Sequence, residues 1–220
     1  MPDAARRIRH NRIYRRQCAA GPRGDPHRHV SPRTSVITPL SGQAAPKHTT
    51  TNMKRVHILG RKNHGKTTLV VELVSYLAEH GYRVGAIKHT HHEHQLDTPG
   101  KDSYRHREAG ATVSAILSPG MNAVFWTPPP RPRGEPAAYD EFAPHFASCD
   151  LVIVEGDTLA SAPKVEVWRA AVGSQPLAAD DETIAAVITD DELPLARTVW
   201  PRNDVARIAE GVLRLLRVEA

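Results

Sequence analysis

Nine consecutive residues, Gly60-Arg61-Lys62-Asn63-His64-Gly65-Lys66-Thr67-Thr68, have the types and spacing of a triphosphate-binding loop, G-x-x-x-x-G-K-[ST]. The two glycines let the backbone curl into a concave nest of N–H groups, those of Asn63 and His64 included, around a β-phosphate. Lys66 adds a mobile positive charge for the β- and γ-phosphates, and the Thr67 hydroxyl is placed to ligate Mg²⁺. The helix that follows would aim the positive end of its dipole at the same anion. This stretch predicts nucleoside triphosphate binding.

A second stretch, Asp150-Leu151-Val152-Ile153-Val154-Glu155-Gly156, reads as a strand buried on both faces with an acid at each end. At strand rise the two acids stand roughly 16 Å apart, so only one can serve the nucleotide. If this strand runs parallel to the one before the loop, Glu155 reaches the phosphates and Asp150 is a turn residue at the far edge. Gly156 lets the backbone turn close to a ligand.

The third polar stretch is a loop, residues 89–103, with four histidines in six residues at His89, His91, His92 and His94. These imidazoles read as a transition-metal site or, more simply, as a solvated loop, since they lack the i, i+4 spacing of two ligands on a helix face. The loop leaves the carboxyl end of a strand, where open α/β sheets bind ligands. Asp97 is therefore a candidate Mg²⁺ ligand or water-positioning carboxylate. Asp102 reads as the N-cap of a helix over 103–109. Lys101, Arg105 and Arg107 read equally as phosphate contacts or as a solvated face.

The elements that must position these groups follow from periodicity. Residues 56–59 read as a short buried strand, and residues 67–79 as an amphipathic helix with Leu69, Leu73, Tyr76 and Leu77 at helical spacing. His80-Gly81 ends that helix, and residues 82–88 form a second strand, which a long crossover makes parallel to the first. Residues 112–117 and 121–126 flank Ser118-Pro119-Gly120 as a hairpin with a three-residue turn. Five prolines make residues 127–136 a loop. A helix is expected over 139–147. Residues 163–169 alternate and read as an edge or hairpin strand, residues 183–188 as a buried strand, and residues 197–200 as a short last strand. Asp204 caps a final helix through Leu216. The fold class is α/β: a P-loop NTPase with a mostly parallel central sheet flanked by helices and an added β-hairpin.

Composition divides the chain. The net charge of +5 arises from residues 1–52, where ten Lys and Arg face two Asp; the other 168 residues carry nineteen against twenty-two. Residues 1–52 therefore read as a disordered basic tail, and residues 53–220 as the P-loop domain. The favoured explanation of the tail is a start assigned too early, with Met53 as the working first residue. A nucleic-acid partner would rest on that tail alone and is not expected. No stretch reads as a secretory signal or membrane span. Cys18 and Cys149 read as free thiols in a reducing, cytoplasmic compartment.

Taken in order, the P-loop, Lys88-His89-Thr90-His91-His92, Asp97-Thr98-Pro99-Gly100-Lys101-Asp102-Ser103, Ala109-Gly110-Ala111, Glu155-Gly156 and Pro163-Lys164-Val165-Glu166-Val167 resemble the MobB family. Its members are molybdopterin-guanine dinucleotide biosynthesis adapters. The likeness spans about residues 53–216. It implies a GTP-binding accessory protein, at most a slow GTPase, that assists a MobA-like guanylyltransferase in joining GMP to molybdopterin. It further implies a homodimer, with Gly60, Gly65, Lys66, Thr67 and Thr68 holding GTP phosphates beside Mg²⁺. Guanine preference follows from the resemblance alone, because a guanine-reading Asn-Lys-x-Asp sequence is absent; Asp190, at the end of a late strand, is a candidate acceptor for guanine N1–H and N2–H. Two departures stand out: Asp157, where the family carries a bulky or aromatic residue, and the proline-rich 127–136 loop. The rival readings are a small-molecule kinase on the same fold and a metallochaperone GTPase loading metal through the histidines.

Overall fold

Arg55–Leu59 (β1) sits inside a six-stranded sheet whose neighbours come from distant parts of the chain. A computed structural model describes residues 53–130, 132, 135 and 137–218. The expectations for residues 1–52 lie outside the described residues. After β1 come helix α1 (Lys66–Glu79), strand β2 (Val84–Lys88) and helix α2 (Asp102–Glu108). Strands β3 (Val113–Ile116) and β4 (Ala123–Trp126) pair antiparallel as a separate hairpin. Strands β5 (Leu151–Glu155), β6 (Lys164–Val167), β7 (Ile184–Ile188) and β8 (Val199–Trp200) follow, and helix α3 (Val205–Leu216) ends the domain.

The large sheet has the order β2-β5-β1-β6-β7-β8, and every neighbouring pair is parallel. A parallel sheet must be covered on both faces, and here the two coverings differ. On one face α1 and α3 bury Leu69, Leu73, Leu77, Ile208 and Val212 against Val56, Ile58, Ile153 and Val165. The other face is covered by irregular chain and short 3-10 turns, around Trp168 and Ala178 at one side and Tyr139 at the other. Among the described residues no helix is long and apolar enough to cross a membrane.

The fold class expected from the sequence is the one observed, but four elements differ. Residues 163–169 are no edge: β6 lies between β1 and β7 with all four residues buried. Its charges mislead because they are answered internally. Glu166 accepts the backbone N–H groups of Leu177 and Ala178 at 2.8 and 2.9 Å, and Lys164 pairs with Asp181 at 2.8 Å. Buried ions with such partners are tolerated in a central strand. The helix expected over 139–147 is instead two 3-10 turns, Tyr139–Glu141 and Ala143–Phe146, with Pro144 unable to donate a helical hydrogen bond. The hairpin turn is wider than expected, since Ile116 pairs with Ala123 and the chain between them is closed by Ser118 and Asn122. Asp102 begins α2 rather than capping it; Lys101 is the cap residue, and no side chain caps that end. Asp204 does cap α3, accepting the Arg207 N–H at 2.9 Å.

The contact between α3 and the sheet edge gives a test with a decided sign. A methyl group at Gly211 would stand 2.5–2.8 Å from three carbons of the Trp200 indole. Alanine in a helix is ordinarily worth about 1 kcal/mol over glycine. Overpacking a rigid ring costs roughly 1–3 kcal/mol, so the clash should win. Gly211→Ala is expected to lower the urea midpoint; a rise would mean that α3 stands farther from β8.

Candidate functional site

The carboxyl ends of β5, β1 and β6 meet at one edge of the sheet, and the glycine loop leaves β1 between its two neighbours. Gly60 has φ 138°, and a Cβ there would strike the Val167 carbonyl oxygen at 2.5 Å, so only glycine passes β6 this closely. Asn63 at φ 70° and Gly65 at φ 92° turn the loop through left-handed conformations that aim backbone N–H groups inward. Gly65 is the N-cap of α1, and no side chain caps the helix there. Its first amides are thus left to an anion.

Lys66 folds its ammonium back onto the Arg61 carbonyl at 2.9 Å, across the mouth of this nest. Burial lowers its pKa, and the Glu155 carboxylate opposes that shift. The Thr67 hydroxyl donates to Glu155 Oε1 at 2.8 Å, and the Lys88 ammonium stands 3.7 Å from the same oxygen. Two hard oxygen donors from β5 and α1 therefore adjoin, a donor set suited to Mg²⁺. Asp150 sits at the other end of β5, where Arg83 engages both of its oxygens and holds its pKa down at about 2. β5 runs parallel to β1, so Glu155 lies on the glycine-loop side and Asp150 at the far edge.

His64 presents a different picture. Its side chain is buried and turned away from the nest, accepting the Arg169 N–H on Nδ1 at 2.9 Å and donating from Nε2 to Ser174 Oγ at 2.8 Å. It ties the glycine loop to the chain after β6, while Trp168 Nε1 donates to the Ser174 carbonyl at 2.8 Å. Beside this brace opens a cleft of about 330 Å³ lined by Gly65, Thr68, Trp168, Arg169, Asp190 and Arg202, among others. Asp190 lies exposed at this cleft, with one carboxylate oxygen accepting the Asn203 N–H at 3.1 Å.

Asp97 is engaged elsewhere. It is only 4% exposed, accepts from the Ser103 hydroxyl at 2.8 Å, and pairs with Arg107 at 3.1 Å. Both oxygens are used in holding the loop to α2, so the contacts of Asp97 do not match the magnesium role expected for it. The histidines form two edge-on ring pairs, His89 with His91 at 4.8 Å and His92 with His94 at 6.4 Å. Among the described residues no group of three or more His, Cys, Asp or Glu is placed to hold a metal. Sequence reasoning missed the His64 brace and a buried pair, Tyr139 with Asp157 at 2.8 Å, because their partners lie 18 to 110 residues apart. Asp157 itself, an acid following Glu155-Gly156, was the only local signal.

His57 and His64 make stability depend on pH. Desolvation is the first cause that lowers each pKa below the ordinary 6.5. The unfolded chain therefore takes up protons first as pH falls below about 6.5, and the native state is disfavoured by up to about 1.4 kcal/mol per pH unit and proton. Above that pH these two groups contribute no slope. Urea midpoints should fall between pH 7 and pH 5.5, and His64→Gln should show the shallower fall. An equal slope in both proteins would mean that His64 is not held neutral.

Residues 55–190 match the sequence model of the family described as "Molybdopterin guanine dinucleotide synthesis protein B", or MobB. The chain is 36% identical over 157 residues to the molybdopterin-guanine dinucleotide biosynthesis adapter protein of Haemophilus influenzae, covering 70% of this chain and 85% of that one. It is 33% identical over 154 residues to the adapter protein of the same name from Escherichia coli, covering 70% and 87%. The crystal structure of Bacillus subtilis MobB superposes with a TM-score of 0.56 at 25% identity, over 75% of this chain and 99% of that one. With the sheet order, the glycine loop and these relatives in agreement, the chain belongs to the MobB family.

Proposed function

We propose that this chain binds GTP with Mg²⁺ at the glycine loop and acts as an accessory protein when GMP is joined to molybdopterin. The observation that carries the reading is the Thr67–Glu155 pair at the mouth of a glycine nest, in a chain whose curated relatives are named adapter proteins of this pathway. The backbone of Gly60, Asn63, His64 and Gly65 cradles the phosphates. Lys66 exchanges its contact with the Arg61 carbonyl for the β- and γ-phosphates. Thr67 and Glu155 hold the metal, whose chemistry is to neutralise charge between the terminal phosphates. Glu155 also orients the attacking water. Thr68 adds to the phosphate contacts, and the cleft beside it takes the nucleoside, with the free oxygen of Asp190 turned to guanine N1–H and N2–H. Asp97 holds the histidine loop against α2.

Such a site turns over slowly by itself, at about 10⁻⁴–10⁻² s⁻¹, until another group completes the neutralisation of charge. Slow turnover suits an adapter, whose nucleotide sets a conformation that a partner recognises. The partner in this reading is a MobA-like guanylyltransferase, and the protein acts in the cytoplasm as a homodimer.

Mixing the protein with the cognate guanylyltransferase, molybdopterin, Mg²⁺ and limiting GTP tests the reading. Wild type should raise the yield of guanylated molybdopterin above that without added protein, and Lys66→Ala should not. Equal yields with and without wild type would overturn the adapter reading and favour a kinase on the same fold.

A further inference from the structure

Asp157 combines two features that are unfavourable by themselves. It is an acid only 5% exposed, and its backbone is left-handed at φ 67°. Three contacts hold the turn nonetheless. The Tyr139 hydroxyl donates to Asp157 Oδ2 at 2.8 Å, and the Leu159 N–H donates to Oδ1 at 3.1 Å. His57, fully buried on β1, donates from Nδ1 to the Gly156 carbonyl at 3.1 Å. The Tyr139 ring is in turn packed by its neighbours, lying edge-on to His57 at 5.2 Å and 4.7 Å from the Arg55 guanidinium.

These contacts converge on the residues that immediately follow Glu155. Gly156 has φ 96°, and there the chain leaves β5. We propose that Tyr139 and Asp157 are positioning residues for Glu155: their hydrogen bond clamps the turn after β5 and so fixes the carboxylate that meets Thr67. Shifts of a fraction of an ångström at such a pair change its fitness as a metal-linked acid. Tyr139 also joins this turn to the hairpin, because Phe142, which follows the same 3-10 turn, lies 5.1 Å from the Trp126 ring of β4. The hairpin contact and the clamp thus share one 3-10 turn, joined through its backbone.

The inference rests on the metal-linked role proposed for Glu155, so its test separates the two. GTP binding is titrated by calorimetry in excess Mg²⁺ and again in EDTA, with thermal melting alongside. Tyr139→Phe removes only the hydroxyl. Asp157→Gly removes the carboxyl while suiting φ 67°. Both variants should bind GTP in EDTA within about twofold of wild type and lose about five- to tenfold of the tightening that Mg²⁺ brings, less than the roughly 10- to 150-fold of a direct hydrogen bond to a charged group, because the pair acts on Glu155 through the backbone. Asp157→Asn keeps its oxygen for the Leu159 N–H and turns its amide NH2 to the Tyr139 hydroxyl, which can accept, and it tolerates the left-handed backbone, so it should respond to Mg²⁺ as wild type does. A wild-type Mg²⁺ response in Tyr139→Phe and Asp157→Gly overturns the positioning role. Equal losses in Mg²⁺ and EDTA, with lowered melting temperatures, overturn it too, since they mark a purely structural pair. Absence of GTP binding by wild type overturns the nucleotide reading itself, and this inference with it.

Discussion

The hydrogen bond from Thr67 to Glu155 depends on two segments 88 residues apart arriving at one place. Thr67 stands at the first turn of α1, just after the glycine loop, and Glu155 ends β5. They meet because β5 inserts between β2 and β1, parallel to both, so its carboxyl end opens beside the loop. Reversing β5 would bring Asp150 to the glycine loop and send Glu155 to the far edge. The rest of the sheet serves this placement. On the other side of β1, β6 gives the glycine loop a wall at Val167, close enough that Gly60 must be glycine.

Much of this was legible because the signals are local. The glycine loop, the apolar run of β5 with an acid at each end, and the Asp204 cap of α3 each lie within a few residues. The shared direction of β1 and β2 follows from the helical crossover between them, although β5 and not β2 is the strand paired with β1. The failures share a cause of the opposite kind. Lys164 and Glu166 suggested an edge strand because their partners, Asp181 and the amides of Leu177 and Ala178, lie 11 to 17 residues downstream. His64 sits inside a phosphate-loop motif, yet its ring is satisfied by Arg169 and Ser174, more than a hundred residues away. Asp97 looked free for a cation until α2 closed on it with Ser103 and Arg107.

The two faces of the sheet also differ in a way that bears on function. Helices α1 and α3 pack one face with aliphatic side chains. The other face carries a polar group of Arg55, His57, Tyr139 and Asp157 beneath irregular chain. Within it the Tyr139–Asp157 hydrogen bond is made, while Arg55 Nε and His57 Nε2 are buried with no hydrogen-bond partner among the described residues. That cluster lies directly behind the turn that follows Glu155. The Tyr139–Asp157 pair thus sits next to the point where the proposed metal-linked acid emerges, and Trp126 of the hairpin packs on Phe142 of the same region.

In the proposed function the glycine loop and its lysine hold a guanine nucleotide. Calorimetric titration of Mg²⁺ with GTP, and separately with ATP, into wild type and Lys66→Ala tests it most directly. Loss of a charge-assisted contact of about 1.5–3 kcal/mol should weaken the variant roughly 10- to 150-fold. Wild type should bind GTP more tightly than ATP, and both variant and wild type should melt alike. Equal affinity in the two proteins, or no heat of binding in wild type, would contradict the account.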